Sequence, residues 1–104
     1  MIQVKVEKEN KKYRKVKVLG HAMYDDYGKD IVCSAVSSIV TTTINGILSL
    51  RKGSLSYLVS KKGMTIELKS DDEITQTLTQ NMVNLLKELS VQYPDNIEID
   101  IMKN

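Results

Sequence analysis

The sequence predicts an α+β sandwich of element order ββαββαβ, two helices packed on a largely antiparallel sheet. Three observations carry this. Short segments alternate apolar and polar residues with period two, two longer segments repeat at helical intervals, and four of the strand-like segments fall into adjacent pairs joined by short turns. A chain of 104 residues with 41% apolar content is enough for one domain with one modest core. Its aromatic residues are five Tyr, with no Trp and no Phe, so aliphatic side chains must fill that core.

The first strand is read from Ile2, Val4 and Val6 alternating with Gln3, Lys5 and Glu7. A turn near Asn10 leads to Tyr13–Leu19, where Val16 and Val18 alternate with Lys15 and Lys17, and the two segments read as a hairpin. Residues 20–29 carry two Gly, two Asp and two Tyr without periodicity and read as a loop of about ten residues, long for a compact domain. Asp30 stands where an N-cap is wanted before the next apolar run, and Gly53 after Arg51-Lys52 closes that helix.

This first helix has no charged residue from Ile31 to Leu50, a length that can mimic a membrane span. Its Ser, Thr and Asn content argues against that reading, because hydroxyls and amides weaken membrane insertion. Ser34, Ser38, Thr41, Asn45 and Ser49 form a small polar stripe, a candidate subunit contact. Val32, Val36, Ile39, Val40, Thr43, Ile47 and Leu50 form the apolar side. Leu55–Val59 and Met64–Leu68 are two further strands about a Lys61-Lys62-Gly63 turn. Ser70 to Glu73 has capping-box spacing, and Ile74, Leu78, Met82, Leu85 and Leu89 recur as the apolar row of a second helix. Tyr93 to Asn96 ends it, and Ile97, Ile99 and Ile101 alternate as the closing strand.

Composition removes several function classes. One Cys excludes an intrachain disulfide, and one Cys with one His falls short of a structural zinc site; no metal and no cofactor are expected. The N-terminus alternates from its first residue rather than opening on an apolar block, so no secretory leader is expected and the expected compartment is the reducing cytosol.

The single His and single Cys flank the unusual loop. On its own, a lone Cys in an apolar helix reads as a small buried hydrophobe. Together with the loop the pair supports a second reading. Cys33, three residues past the expected cap, would sit among the free N–H groups of the helix start, where an anion is favoured and a thiol is more readily ionised. His21, brought back by a bend at Gly20 and Gly28, would accept the thiol proton and later protonate a leaving amine. Ser37, four residues after Cys33, shares its helix face and could hydrogen-bond either a substrate carbonyl or its own helix backbone. Asp30 could orient His21 as well as cap the helix, since a carboxylate has two oxygens. Asp25 and Asp26 read as solvated loop carboxylates or as partners for a basic substrate residue. The loop is expected to order when substrate arrives.

The run from Gly20-His21-Ala22 through Tyr24-Asp25, Tyr27-Gly28 and Asp30-Ile31-Val32-Cys33 to Ser34-Ala35-Val36-Ser37 resembles the bacterial ribosomal-processing cysteine proteases of the Prp family. The resemblance is dense from Gly20 to Ser38 and looser elsewhere. It implies a cysteine endopeptidase that removes the N-terminal extension of a large-subunit ribosomal protein precursor, the twenty-seventh of that subunit. It further implies Cys33 as nucleophile, His21 as proton-transfer partner, and a homodimer; the family also carries an Asp and a Ser at the positions of Asp30 and Ser37.

A rival reading is a noncatalytic ribosome-assembly or RNA-binding module. Seven of the 15 basic residues (Lys5, Lys8, Lys11, Lys12, Arg14, Lys15 and Lys17) lie in the first hairpin. Such a hairpin could touch RNA phosphates, or it could simply protect a sheet edge and keep the chain soluble. The Tyr residues are not interleaved with the basic run, so a base-stacking platform is absent.

Overall fold

The computed structural model describes residues 1–20 and 27–104, with the backbone alone for 27–30. The element order is the expected one: β1 Ile2–Glu9, β2 Lys12–Leu19, α1 Tyr27–Leu50, β3 Leu55–Ser60, β4 Gly63–Leu68, α2 Glu73–Gln92 and β5 Ile97–Lys103. The five strands form one sheet in the order β3-β4-β2-β1-β5. β1–β2, β2–β4 and β3–β4 are antiparallel, while β1–β5 is parallel, so the sheet is mixed.

Local chemistry accounts for the hairpins. Asn10 and Lys11 both adopt positive φ, 52° and 67°, as the central pair of a two-residue hairpin turn of the primed type requires. Beyond the turn the β1–β2 register shifts between Glu7 and Lys8. A side chain of α2 supplies partners near this irregularity. The Tyr13 N–H donates to Gln76 Oε1 at 2.7 Å, and Gln76 Nε2 donates to the carbonyls of Tyr13 at 3.2 Å and Ser70 at 2.9 Å. Gln76 is buried, and these bonds offset the cost of burying an amide.

One core joins the helix-facing side of the sheet to both helices. Ile2, Val4 and Val6 of β1, Val16 of β2 and Ile66 of β4 are buried with Val32, Val36, Val40, Ile44 and Ile47 of α1 and Met82, Val83 and Leu86 of α2. Ile31–Leu50 is long and apolar enough to cross a membrane, with mean hydropathy 1.7. Here its Val and Ile stripe belongs to this core, and Ser34, Ser38, Thr41, Asn45 and Ser49 are exposed on another face, as the stripe predicts. Leu50, expected on the apolar side, is exposed, and Ile44 takes a core position instead.

Both helix starts differ from expectation. α1 begins at Tyr27, so Asp30 is its fourth residue rather than its N-cap, Gly28 lies within the helix rather than in a bending loop, and residues 27–29 of the expected ten-residue loop belong to the helix. The N-cap of α2 is Asp72, not Ser70: the Asp72 carboxylate accepts from the Thr75 N–H at 3.1 Å and from the Thr75 hydroxyl at 2.6 Å, and Ser70 donates to it from behind. The side chain two residues nearer the helix is the one that reaches the free N–H groups.

The buried face of α2 is also rotated. Thr75, Gln76, Thr79, Met82, Val83 and Leu86 are buried; of the expected row only Met82 is, with Ile74, Leu78 and Leu89 at the margin and Leu85 exposed. The threonines satisfy themselves locally, Thr79 donating to the Thr75 carbonyl at 2.8 Å and Thr75 to Asp72. Their burial therefore strands no polar group.

Candidate active site

Cys33 projects from α1 at the rim of the core, partly buried and packed against it. It lines a cleft of about 180 Å³ between α1 and the strands. From the helix come Cys33, Val36, Ser37, Val40 and Thr41; from the sheet come Ile2, Val18, Gly20, Val59, Gly63 and Met64. The lining is mostly aliphatic, and on the helix side Cys33, Ser37 and Thr41 stand beside Val36 and Val40. Helical spacing explains that arrangement, since Cys33, Ser37 and Thr41 follow one another at four-residue intervals and lie on one face.

Two glycines shape the sheet side. Gly20 has φ of +77°, and a Cβ there would stand 2.5 Å from the Met1 carbonyl oxygen. Its N–H donates to the Lys62 carbonyl at 3.1 Å, which ties the end of β2 to the β3–β4 turn. Gly63 has φ of +142°, and a Cβ there would overlap the Val18 carbonyl oxygen at 1.9 Å. Both positions exclude a side chain for two reasons, left-handed backbone and direct collision. The point from which the chain departs toward His21 is therefore anchored on the β3–β4 hairpin.

The site residues expected from the sequence divide sharply. Cys33, Ser37 and Gly20 converge on the cleft. Ser37 is exposed there, while Thr43 and Ser49 are the α1 hydroxyls that bond back to helix carbonyls, at Ile39 and Gly46. His21, Asp25, Asp26 and the expected loop ordering lie outside the described residues. Asp30 lies one turn before Cys33 on the same helix, with its expected capping role removed.

The helix-start argument for Cys33 also changes. Cys33 is the seventh residue of α1, which places it about 9 Å along the axis from the first N–H groups and beyond the reach of a terminus effect. Activation of its sulfur thus calls for a neighbouring base. Val59, Gly63, Met64 and Thr41 are cleft residues that sequence reasoning missed; the Lys61-Lys62-Gly63 turn was visible, but nothing local tied it to Cys33. Among the described residues no cluster of three or more His, Cys, Asp or Glu could hold a metal ion.

The basic residues of the hairpin are partly matched by carboxylates. Sheet register sets Lys5 beside Asp100 and Lys15 beside both Glu7 and Glu67, and Arg14 pairs with Asp71. That pair lowers the Asp71 carboxyl below its ordinary range, first through the hydrogen bond from Arg14.

Comparison with known proteins gives consistent results. The family model described as cysteine protease Prp matches residues 1–98. The ribosomal processing cysteine protease Prp of Staphylococcus aureus is 27% identical over 84 residues, covering 78% of this chain and 79% of its own. Among solved structures, SMU.848 from Streptococcus mutans superposes with a TM-score of 0.92 at 28% identity, covering all of this chain and 96% of that one. The S. aureus protease in complex with a substrate peptide superposes with a TM-score of 0.86 at 26% identity, over 97% of this chain and 99% of that one. The same protease has also been captured with a covalently linked product peptide, with a TM-score of 0.85 and the same identity and coverage.

Proposed function

The chain belongs to the cysteine protease Prp family and is a cysteine protease, and from that premise we propose that it removes the N-terminal extension from the precursor of the twenty-seventh protein of the bacterial large ribosomal subunit. The observation that carries the assignment is the single cysteine, Cys33, standing at a mostly apolar cleft that Ser37 and Thr41 also line. Such a site binds aliphatic side chains while leaving hydrogen-bonding groups for the peptide backbone. The name of the S. aureus relative supports the ribosomal substrate, and its covalently linked product peptide supports a covalent route.

In this mechanism His21 takes the proton of Cys33, and the resulting thiolate attacks the scissile carbonyl carbon. The tetrahedral adduct collapses as the C–N bond breaks, with His21 returning the proton to the leaving amine. A thioester remains. Water attacks it, His21 accepts the water proton, and the C–S bond breaks to release the carboxylate product and restore the thiolate. Ser37 donates a hydrogen bond to a substrate carbonyl from the cleft wall, and Asp30, a turn before Cys33, orients His21. Gly20 sets the direction in which the chain leaves β2 toward His21.

The protein acts in the cytosol, where reducing conditions keep Cys33 a thiol, and as a homodimer. The exposed Ser and Thr stripe of α1 is a contact surface for the second copy. Carboxylates beside Lys5 and Lys15 weigh against a basic RNA-binding face.

The test is direct. A synthetic peptide spanning the extension and the first mature residues should give two products by mass spectrometry with the unsubstituted chain and none with Cys33→Ala. Equal cleavage by Cys33→Ala would remove the proposed nucleophile, and an intact peptide with the unsubstituted chain would remove the proposed substrate.

A further inference from the structure

Among the described residues the sheet has two outer strands, β3 and β5, and they are built differently. β5 carries Glu98, Asp100 and Lys103, charges of the kind that discourage a further strand from pairing. β3 is Leu-Ser-Tyr-Leu-Val-Ser, with no charge, no Pro and an unbroken register to β4. Within β3 itself no charge, Pro or bulge blunts the edge.

The register shows which backbone groups β3 leaves unpaired. Ser54 accepts a hydrogen bond from the Lys69 N–H at 2.7 Å, at the end of the ladder that runs to Ser60↔Gly63. Antiparallel pairing alternates with period two, so Ser56, Leu58 and Ser60 are the residues bonded to β4, and the N–H and C=O of Tyr57 and Val59 point away from it. The side chains of Tyr57 and Val59 share the helix-facing side with Leu55, because their register partners Ile66 and Met64 lie on that side. Both are nonetheless 52% and 62% exposed. Val59 also lines the cleft of Cys33, so the free edge and the candidate site are continuous.

We propose that the substrate segment flanking the scissile bond binds as an added strand on β3. Its backbone pairs with the outward N–H and C=O groups of Tyr57 and Val59, and alternate side chains enter the apolar cleft beside Cys33. This rests on the protease function proposed above and specifies how that site holds its substrate. It accounts together for an uncharged edge, two exposed apolar residues on the core side of the sheet, and a cleft that reaches this edge at Val59.

The test is a backbone scan. The extension peptide is synthesised with one N-methyl amide at each position in turn, and each version is titrated against Cys33→Ala by fluorescence anisotropy. The unmodified peptide is assayed for cleavage by the unsubstituted chain. Strand addition predicts losses of up to about tenfold in affinity at alternating positions only. Val59→Pro, which deletes an outward N–H and leaves the β4 ladder intact, should raise KM more than it lowers kcat. If Val59→Pro does not fold, the peptide scan decides alone. A cleaved peptide whose scan is flat or aperiodic overturns edge pairing and leaves the protease function standing. An unchanged KM for Val59→Pro together with a dissociated dimer overturns it in favour of a second copy on β3. A peptide that the unsubstituted chain leaves uncut overturns the function and this inference with it.

Discussion

The two helices lie side by side on one face of the sheet, yet they are constructed on different terms. α2 has a capped start, a buried face closed by local hydrogen bonds, and a mostly polar outer face that carries Glu73, Lys87 and Glu88. α1 has no charge between Ile31 and Leu50 and three consecutive Thr, Thr41 to Thr43, and it is held by a stripe of Val and Ile in the core. The contrast teaches where stability and chemistry are separated. α2 is stabilised by its own sequence as well as by packing, whereas α1 depends on the sheet, since β-branched residues disfavour an isolated helix. A helix fixed by one buried stripe is free to present Cys33, Ser37 and Thr41 on another face.

The largest expected effect probes that separation directly. Cys33→Ala removes a partly buried sulfur at the core rim and should abolish cleavage while thermal unfolding stays near that of the parent chain. A large drop in thermal midpoint would show that Cys33 holds the fold as well as the site. Leu86→Ala is the mirror experiment on α2. It opens a cavity in the core and should cost about 2–5 kcal/mol in a denaturant titration, while kcat/KM per folded molecule is retained.

The cap of α2 gives a pH signature. Hydrogen bonds from Ser70, then from the Thr75 hydroxyl and N–H, together with the nearby Arg51, hold the Asp72 carboxyl down from 3.8 to about 2. A depressed folded value means that the cap's contribution is complete above the ordinary carboxylate range and is lost as pH falls through about 2. Asp72→Asn should flatten that acid limb in unfolding midpoints measured from neutral to acid pH, with a smaller loss at neutral pH than Leu86→Ala. An acid limb of unchanged steepness would assign it to other carboxylates. The smallest effect belongs to Gly46 in α1, where an added Cβ meets nothing within 4 Å. Gly46→Ala should gain about 0.5–1 kcal/mol through helix propensity; a loss would reveal that another chain packs against this part of α1.

How far the sequence could be read follows the same division. Alternation in β1, β2 and β5 placed those strands within two residues of their observed ends, because period two is a local property of each strand. Helix starts were less legible. Ser70 and Asp72 are both good caps, and only the approach of Thr75 chooses between them. Asp30 looked like a cap because an apolar run follows it, but the helix extends back to Tyr27. The burial face of α2 was misjudged because Thr75 and Thr79 count as polar until their hydroxyls are seen to bond locally.

The sequence by itself determined the element order, the hairpin turns, the polar stripe of α1 and the family motif that singles out Cys33 and His21. Each depends on neighbours a few residues apart, whose spacing is written in the chain. Only the tertiary structure decided that β1 pairs in parallel with β5, that α2 turns its threonines inward, and that Val59, Gly63 and Met64 meet Cys33 across one cleft. Those contacts join residues some thirty or more positions apart in the case of Cys33 and Gly63. They are selected by how the helices and sheet fill their shared core, a property of the assembled layers that no local period encodes.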